Sequence, residues 1–549
     1  MSRFDSCRGR LTERTQSPTD QPSRPWSHEI PDGPWDYIVI GSGIGGMASA
    51  AMLSKLGRRV LVLEQHNIPG GFTQMFKRPG YRWDVGVHIV GEMSEASYPG
   101  RLLQTLTDGR LQWQPVGEFY DEFNFPDGFS IQLPDTPEAF RETLIDAFPE
   151  ERSAVDEYLM MTRTAARSAA KALQVRAMPR LLPTSGRKRA TEAAQEYMSA
   201  TTAEVLASLT SDPRLRAVLA AQWGYYGATP ARSSFAMHAL MVRHFLHGAY
   251  YPVGGASSIA PALLTTVADG GGWTAVRHTV DQIITRRGAV IGVRLASGAE
   301  IAAKRVISTA GAIPTSDLLE GGLPGSQVPY REAGPAHVSL YIGFKGDIGA
   351  KGAKRYCQWY YDSWDMEIAG WDVDPDRTPG RTPVMFCSFP SLKDPQHDPG
   401  PELRNTGEAI TFVPWDAFGR WQGSRWKKRG AEYDAFKTEL TDRLLQQYLA
   451  EYPDLAPFVD HVEMSTPLST NHFAASPRGS IYGLGTSPER FADQSLVPRS
   501  EVKGLYLGGA DASAPGIAGA LGGGVLAAAA AEPLRSARFL QPIMKRPSS

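Results

Sequence analysis

The hydrophobic pattern of residues 37–64 predicts two buried strands on either side of a helix. Residues 37–40 are all apolar, which is typical of a strand buried on both faces of a parallel sheet. A glycine-rich turn follows, and residues 47–56 favour a helix because they are mostly alanine, methionine and leucine. A second apolar run, residues 60–63, ends in Glu64. The pattern therefore predicts a strand–turn–helix–strand unit.

The turn of this unit carries glycines at the spacing of a dinucleotide-binding fingerprint. Gly41 permits the tight turn, Gly43 lets the backbone approach a pyrophosphate, and Gly46 lets the helix pack closely on the strand. The following helix would direct its free N–H groups and its positive dipole end at the phosphates. Glu64 lies 21 residues after Gly43, where a carboxylate can bind the adenosine ribose. We therefore predict a dinucleotide site; a glycine turn that serves packing alone is the alternative.

Two further glycine-rich segments favour a longer dinucleotide. Gly70 and Gly71 allow a second close approach of the backbone, which a cofactor lying across the strand ends needs. Near the C-terminus, residues 504–511 predict a strand that ends in glycines and an acid. The alanine-rich run to residue 531 predicts a helix whose N-terminal amides would stabilise negative charge on a reduced flavin. These segments favour FAD over NAD, which the fingerprint alone does not separate. A helix that serves packing is the alternative.

The patterns between these segments predict the rest of the chain. Residues 276–308 alternate apolar strand residues with turns, which predicts a small β-meander, and residues 305–310 form its exit strand. Residues 101–249 are largely helical by composition. Residues 316–484 are rich in aromatic side chains, which suit the walls of a site for a long apolar ligand. We expect only some of these aromatic residues to line such a site.

Composition and charge exclude several classes of function. The chain has 549 residues, of which 42% are hydrophobic and 21% charged, and its net charge is -1. This length predicts two or more domains, and the charge balance offers nothing to attract nucleic acid. Cys7, Cys357 and Cys387 lie far apart without the spacing of a metal or redox motif, so we expect no bound metal and no disulfide. No apolar run is long enough to span a bilayer.

Two segments bear on cellular location. Residues 1–33 lack apolar periodicity, which predicts a disordered leader and no export signal. The five arginines of the leader are typical of a transit peptide, but its acidic residues argue against one, so we expect a cytoplasmic protein. Residues 171–183 and 187–189 mix bulky apolar residues with cations, which favours a peripheral membrane contact. A solvated basic loop is the alternative for these residues.

Five stretches carry a resemblance to a known family. They are residues 63–73 (LEQHNIPGGFT), 80–91 (GYRWDVGVHIVG), 251–255 (YPVGG), 388–395 (SFPSLKDP) and 427–437 (KKRGAEYDAFK). With the fingerprint, they make the chain resemble the FAD-dependent carotenoid isomerases, retinol saturases and phytoene desaturases. The likeness covers residues 34 to about 535 and is weak between residues 100 and 240. It is closer to the saturases and isomerases than to the desaturases.

The resemblance implies an α/β fold with a discontinuous Rossmann-type FAD-binding domain and an α+β substrate-binding domain. The FAD-binding domain would comprise residues 34–100, 250–315 and 485–535. Residues 101–249 and 316–484 would form the substrate-binding, membrane-facing part, and residues 536–549 a tail.

The resemblance also implies which residues bind FAD. Glu64 would bind the adenosine ribose, the backbone of Val280 the adenine, and Asp511 the ribityl or phosphate region. The complete set of expected cofactor-binding residues is Gly41, Gly43, Gly46, Glu64, Gly70, Gly71, Thr73, Val280, Gly509, Asp511, Gly516, Ile517 and Ala518. Within this set the first three glycines would meet the pyrophosphate, and residues 516–518 would lie beside the flavin ring.

Few catalytic side chains are expected, because a flavin exchanges hydride at its own N5 atom. His88, Glu92 and Tyr482 are the candidates to move a proton, and a structural histidine is the alternative for His88. No second fingerprint in a strand–turn–helix context occurs, so a second domain for NAD(P)H is absent. The electron donor or acceptor stays open between a nicotinamide, a quinone, a redox protein and oxygen.

These observations predict an FAD-dependent oxidoreductase that acts on C=C bonds of a polyene or isoprenoid lipid. Saturation, desaturation and redox-neutral isomerisation all stay open, and the motifs favour a saturase or isomerase. A flavin amine oxidase is the enzymatic alternative, because its domain plan is similar. A non-catalytic prenyl-lipid escort of the Rab GDP-dissociation inhibitor type is the other alternative, which the intact glycines and Glu64 oppose.

Overall fold

The structure is a computed structural model that describes residues 24–177, 184–324, 332–368, 370–493 and 495–545. Its strands are β1 (Tyr37–Ile40), β2 (Val60–Glu64), β3 (Met75–Arg78), β4 (Tyr81–Asp84), β5 (Val90–Gly91), β6 (Trp113–Pro115), β7 (Phe119–Asn124), β8 (Ser130–Pro134), β9 (Ala249–Pro252), β10 (Trp273–Val276), β11 (Val280–Arg286), β12 (Ala289–Leu295), β13 (Glu300–Ala302), β14 (Val306–Ser308), β15 (Ala336–Lys345), β16 (Cys357–Tyr361), β17 (Val384–Ser388), β18 (Arg404–Val413), β19 (Val459–Ser465) and β20 (Leu505–Leu507).

The helices lie between these strands or after the last of them. They are α1 (Ile44–Lys55), α2 (Tyr98–Thr107), α3 (Pro137–Ala147), α4 (Arg152–Arg176), α5 (Thr184–Ser199), α6 (Thr202–Leu209), α7 (Pro213–Ala220), α8 (Phe235–Phe245), α9 (Ile259–Asp269), α10 (Ala312–Asp317), α11 (Pro390–Lys393), α12 (Asp416–Gly419), α13 (Ala431–Glu451), α14 (Pro467–Ala474), α15 (Pro488–Ala492), α16 (Gly516–Ala531) and α17 (Pro533–Met544). Six of the helices, α3 to α8, follow one another between β8 and β9. Within the described residues, no helix is long and apolar enough to cross a membrane.

A five-stranded parallel sheet joins the two ends of the chain. Its strand order is β10-β2-β1-β14-β20, so β14 lies between the first strand and the last. Val39 pairs with Ile307, which pairs in turn with Tyr506. All four residues of β1 are buried, because helices cover one face of the sheet and the antiparallel β11-β12-β13 meander covers the other. The predicted Rossmann-type α/β fold and its meander are confirmed.

Helices α1 and α16, one from each end of the chain, touch through glycines. A Cβ atom added to Gly524 would lie 2.0 Å from the Gly45 carbonyl oxygen, and one added to Gly45 would lie 2.8 Å from the Ala520 carbonyl oxygen. Backbones therefore approach where side chains would otherwise hold them apart. This contact brings the N-terminal ends of both helices to the same end of the parallel sheet.

The second sheet has seven strands in the order β19-β15-β18-β17-β16-β7-β8. Alternate residues of β18 face opposite sides: Ala409 and Val413 pack under α13, whereas Ile410 and Phe412 face the helical region around α4 and α8. Strands β7 and β8 come from residues 101–249, and the other five strands come from residues 316–484. The two segments that we assigned to the substrate-binding part therefore share one sheet.

Two predicted boundaries need correction. Disorder through residue 33 is wrong for residues 24–33, because Ser27 exchanges backbone hydrogen bonds with Thr274 and Val276 beside β10. Residues 536–545 are also more than a loose tail, since α17 packs Phe539 and Leu540 against the core that covers the parallel sheet.

Residues 1–23 and 178–183 lie outside the described residues. Most of the predicted leader and part of the predicted membrane-facing segment are therefore not described.

Candidate active site

One cavity of about 570 Å³ lies between the carboxyl ends of the parallel strands and the seven-stranded sheet. We call one part the glycine half; it is lined by Gly41, Gly43, Glu64, Gly71, Gly509 and Gly516. We call the other part the apolar half; it is lined by Met241, Phe245, Phe386, Ile410 and Phe412. The cavity therefore connects backbone-rich turns to a wall of apolar side chains.

The fingerprint glycines of the glycine half have two different roles. Gly41 has φ of 90°, a conformation that favours glycine, and Gly43 precedes the first turn of α1 with no side-chain cap. A Cβ atom added to Gly43 would meet no protein atom within 4 Å, so this position opens into the cavity. A Cβ atom at Gly46 would lie 2.0 Å from the Gly41 carbonyl oxygen. Gly46 does not line the cavity, and its role is to pack helix on strand.

Glu64 is held in place by two neighbouring segments. Its Oε2 atom accepts hydrogen bonds from the Ser42 N–H at 2.9 Å and the Ser42 hydroxyl at 2.5 Å, and its Oε1 atom accepts one from the His66 N–H at 2.8 Å. A carboxylate has about four acceptor positions, so capacity is left for a ligand in the cavity. Glu64 therefore has both the fixed orientation and the acceptor that a ribose needs.

The second glycine turn lies against the first. The Gly70 N–H donates to the Ser42 carbonyl at 3.1 Å, and both Gly70 and Gly71 have positive φ, at 125° and 57°. The Thr73 hydroxyl donates to the Gly70 carbonyl at 2.8 Å and closes the turn. Gly71 and Thr73 line the cavity, whereas Gly70 lies behind them.

The C-terminal segment completes the glycine half. Gly509, Asp511, Gly516 and Ile517 line the cavity, and Ala518 does not. The Asp511 carboxylate accepts hydrogen bonds from the Ala312 N–H at 2.7 Å and the Leu484 N–H at 2.9 Å. It thus ties the last strand of the parallel sheet to two other segments. Val280, at the start of β11, lines the opposite end of this half.

The three proton-transfer candidates differ in position. Tyr482 lines the cavity, and its hydroxyl donates to the Gly224 carbonyl at 3.1 Å. Glu92 does not line the cavity; it faces Arg243 at 3.3 Å and His244 at 3.7 Å. Burial raises the pKa of Glu92, but its interactions with His244 and Arg243 outweigh burial and hold the pKa below its usual range. A carboxylate that is ionised and turned away from the cavity is a poor proton donor.

His88 lines the cavity and lies between it and a buried carboxyl group. Its Nδ1 atom is 2.9 Å from Oε2 of Glu408, although the two atoms are not aligned for a hydrogen bond as placed. Burial, followed by the charge of Lys393, lowers the pKa of His88 to about 3. The imidazole is therefore neutral at neutral pH, with one N–H to donate and one nitrogen to accept.

Sequence reasoning missed the polar groups behind His88. Glu408 is fully buried, Asp84 is 2% exposed, and Lys393 is 1% exposed. The Lys393 Nζ atom donates to the Ser388 hydroxyl at 2.6 Å and to the His88 carbonyl at 3.3 Å. The sequence did contain a signal for Glu408. Residues 408, 410 and 412 are every second residue of a buried strand and so share one face, and the first of them is a glutamate. A lone acid on an apolar face needs a partner or a function.

Only some of the aromatic residues of 316–484 line the cavity. They are Trp359, Phe386, Phe412, Phe473 and Tyr482. Trp371, Trp415, Phe418 and Trp421 pack instead in the core beneath α13. Phe386 and Phe412, together with Phe245 from the helical region, supply the other aromatic wall. His337 also faces this half, and burial lowers its pKa to about 4, so it is neutral too.

Comparisons of the sequence point to one family. Residues 44–334 match the family described as flavin containing amine oxidoreductase. The chain is 31% identical over 521 residues to the all-trans-retinol 13,14-reductase of Danio rerio, an alignment that covers 89% of this chain and 84% of that one. It is 26% identical over 504 residues to prolycopene isomerase 1, chloroplastic, of an Oncidium hybrid cultivar, covering 88% and 81%.

The fold has solved counterparts. A crystal structure of an oxidoreductase from Methanosarcina mazei matches with a TM-score of 0.58 at 15% identity, and the match covers 89% of this chain and 98% of that one. At this identity the match supports the fold alone. The sequence matches carry the assignment further, because they span most of both chains. The chain therefore belongs to the flavin-containing amine oxidoreductase family, in the group of the all-trans-retinol 13,14-reductases and prolycopene isomerases.

Proposed function

We propose that this protein is an FAD-dependent oxidoreductase that acts on C=C bonds of a polyene or isoprenoid lipid. The observation that carries the proposal is the single cavity that joins the glycine half to the apolar half. The names of the relatives support it, since one relative is a retinol 13,14-reductase and the other a prolycopene isomerase. On the same ground we favour saturation or isomerisation over desaturation.

The residues of the glycine half fit FAD. Gly43 leaves open space beside an uncapped helix N-terminus, where a pyrophosphate can approach the backbone N–H groups. Glu64 has acceptor capacity for the ribose, and Val280 lies near it for the adenine. Gly516 and Ile517 begin α16, whose N-terminal dipole end favours negative charge on the ring. When bound, FAD supplies hydride exchange at N5.

The apolar half would hold the substrate. Phe386, Ile410 and Phe412 project from neighbouring strands and exclude water from the reacting carbons. His88 lies on the same side of the cavity, and its neutral ring carries an N–H that can give a proton to a carbon atom during saturation. We assign His88 the catalytic proton transfer and Tyr482 a positioning role. Glu92 is not part of this mechanism.

Amine oxidation is the alternative that the family description suggests. The apolar wall opposes it, because an amine substrate carries a positive charge until it is deprotonated. The electron partner stays open between a nicotinamide, a quinone, a redox protein and oxygen. Photoreducing the purified protein without oxygen and then mixing it with each candidate would identify which one reoxidises the bound flavin.

The experiment is a product analysis of the purified flavin-loaded protein. All-trans-retinol, prolycopene and a set of primary amines are incubated in parallel with a chemical reductant present and absent. We expect a polyene product that is heavier by two hydrogen atoms or is a geometric isomer, measured by chromatography and mass spectrometry. Hydrogen peroxide formed with an amine, while both polyenes stay unchanged, would contradict the proposal.

A further inference from the structure

The wall of the apolar half continues into a buried acid. Strands β15, β17 and β18 pair so that His337 lies opposite Phe412, and Phe386 lies opposite Ile410. These four residues line the cavity. The next row of the same face pairs Glu408 with Tyr341 on one side and Ser388 on the other. Glu408 therefore lies directly behind the cavity wall.

Glu408 has no hydrogen-bond partner among the described residues. Neither of its carboxylate oxygens is bonded, and Nδ1 of His88 lies 2.9 Å from its Oε2 atom. A buried carboxylate without hydrogen bonds is costly, whereas a protonated carboxyl group carries no charge. This burial raises the pKa of Glu408 to about 8, although the charge of Lys393 opposes the shift.

The charges around Glu408 do not balance if every acid is ionised. Asp84, Asp121 and Glu408 are buried carboxyl groups, and Lys393 is the buried cation among them. The other titratable groups that face Glu408 are His88, Tyr251, Tyr341 and Tyr448. Both His88 and His337 are neutral, so one ammonium can offset only one carboxylate. The cluster therefore retains protons at neutral pH.

Asp84 links this cluster to the protein surface. It ends β4, which packs against β18, and its carboxylate is bonded to the Tyr251 hydroxyl and to the Ala256 N–H. Asp84 and Tyr251 line a second, small pocket of about 20 Å³, which has room for about one water molecule. Arg82, whose side chain is 38% exposed, lines the same pocket. Solvent protons thus have a polar route to Asp84.

We propose that Asp84 and Glu408 form a proton relay. During reduction of a C=C bond, this relay would carry protons from water in the small pocket to His88. This inference rests on the proposed function. FAD, when bound, would supply the hydride to one carbon of the double bond, and Nε2 of His88 would give its proton to the other. The Glu408 carboxyl proton would pass to Nδ1 of His88. This leaves His88 neutral with its proton on Nδ1, so the tautomer with the proton on Nε2 has to form again before the next turnover. Asp84, supplied by water, returns a proton to the Glu408 carboxylate.

The first test measures the proton on Glu408 independently of turnover. The infrared spectrum of the purified flavin-loaded protein at neutral pH should contain a carboxylic acid C=O band that shifts in D₂O. Part of this band should be lost in Glu408→Gln and retained in Glu463→Gln. Glu463 is a matched control, because it pairs with the other side of Tyr341 but is bonded to Arg78 and is 31% exposed. A band that is identical in Glu408→Gln and wild type would overturn the relay.

The second test uses turnover of all-trans-retinol. Glu408→Gln should lower kcat by at least about 10-fold and leave KM unchanged, because general acid catalysis contributes about 100-fold or more. The wild-type kcat should fall above about pH 8, where Glu408 loses its proton, and this limb should be absent in the variant. An unchanged kcat and pH profile would overturn the relay and leave the proposed function intact.

The two proposals can fail separately. If wild type converts no polyene, the proposed function fails, and the infrared band still decides whether Glu408 holds a proton. If Glu408→Gln does not fold, the comparison with this variant is replaced by a pH titration of the carboxylic acid C=O band in the wild-type protein. Loss of that band near pH 8 would support the proposal, and its absence at every pH would contradict it.

Discussion

The glycine half and the apolar half of the cavity are built in different ways. The glycine half consists of backbone turns at strand ends. The helices that follow these turns pack through glycines, since an added Cβ of Gly46 or Gly524 would lie 2.0 Å from a carbonyl oxygen. The apolar half consists of side chains that come from strands and helices far apart in the chain. A change in the first should therefore remove the cofactor or the fold. A change in the second should alter the rate or the choice of substrate.

The largest effect is expected at Gly46. In Gly46→Val the side chain would collide with the Gly41 carbonyl, so we expect loss of flavin and destabilisation by about 3 kcal/mol or more. Thermal unfolding of the purified protein measures its stability, and its visible absorbance measures its flavin content. Gly186→Ala, where a Cβ atom meets nothing within 4 Å, is the control and should change neither. A stable yellow Gly46→Val protein would refute the packing role.

Gly43→Val should separate flavin binding from folding. Its Cβ atom would enter the cavity and meet no protein atom within 4 Å, so the unfolding temperature of flavin-free protein should match that of flavin-free wild type. Flavin affinity should fall by about 100-fold, because the backbone could no longer approach the pyrophosphate. Equilibrium dialysis against FAD measures the affinity. Wild-type affinity would show that the pyrophosphate lies elsewhere.

His88→Ala should lower turnover without affecting flavin binding. The variant should retain its flavin, because His88 lies outside the glycine half, and its kcat with all-trans-retinol should fall by about 100-fold. Flavin content and kcat are measured on the same preparation. Unchanged turnover would make His88 a structural histidine.

Phe412→Ala should act on the substrate with a smaller effect. Removing part of the apolar wall should raise KM for all-trans-retinol by about 10-fold, which corresponds to about 1.4 kcal/mol, and leave flavin content unchanged. Trp426→Ala is the control, since Trp426 is 38% exposed and does not line the cavity. An equal change in both variants would argue against a polyene in the apolar half.

The smallest effect concerns stability and pH. The folded state raises the pKa of Glu408 from 4.5 to about 8, so the stability from its protonated form is complete below about pH 4.5 and is lost as pH rises through 8. In Glu408→Gln this pH-dependent loss of stability is absent. Between about pH 5 and pH 8, the thermal midpoint of wild type should therefore fall by a few degrees more than that of the variant. Parallel curves would contradict the buried, protonated acid.

The contrast between a local glycine unit and side chains from distant segments also explains which parts of the site the sequence could predict. Gly41, Gly43 and Glu64 belong to one local unit whose spacing is set by strand and helix geometry, so a contiguous stretch predicted the fold there. Glu408, Lys393 and Asp84 come together only when β4, α11 and β18 pack, and no spacing along the chain encodes that contact.

Two residues show the same limit. Glu92 is four residues from His88, but its carboxylate faces Arg243 and does not line the cavity. Ser27 lies in a stretch without apolar periodicity, and only the exposed edge of β10 makes it part of a sheet. In both cases tertiary contacts decided the outcome, which local sequence could not indicate.

The most direct test of the central claim is a titration of the oxidised holoprotein with all-trans-retinol, followed at the visible absorption band of the flavin. If one cavity holds both molecules side by side, the band should shift in a saturable way, and Phe412→Asp should abolish the shift while keeping the flavin. Retinol that binds without altering the flavin band would contradict the account.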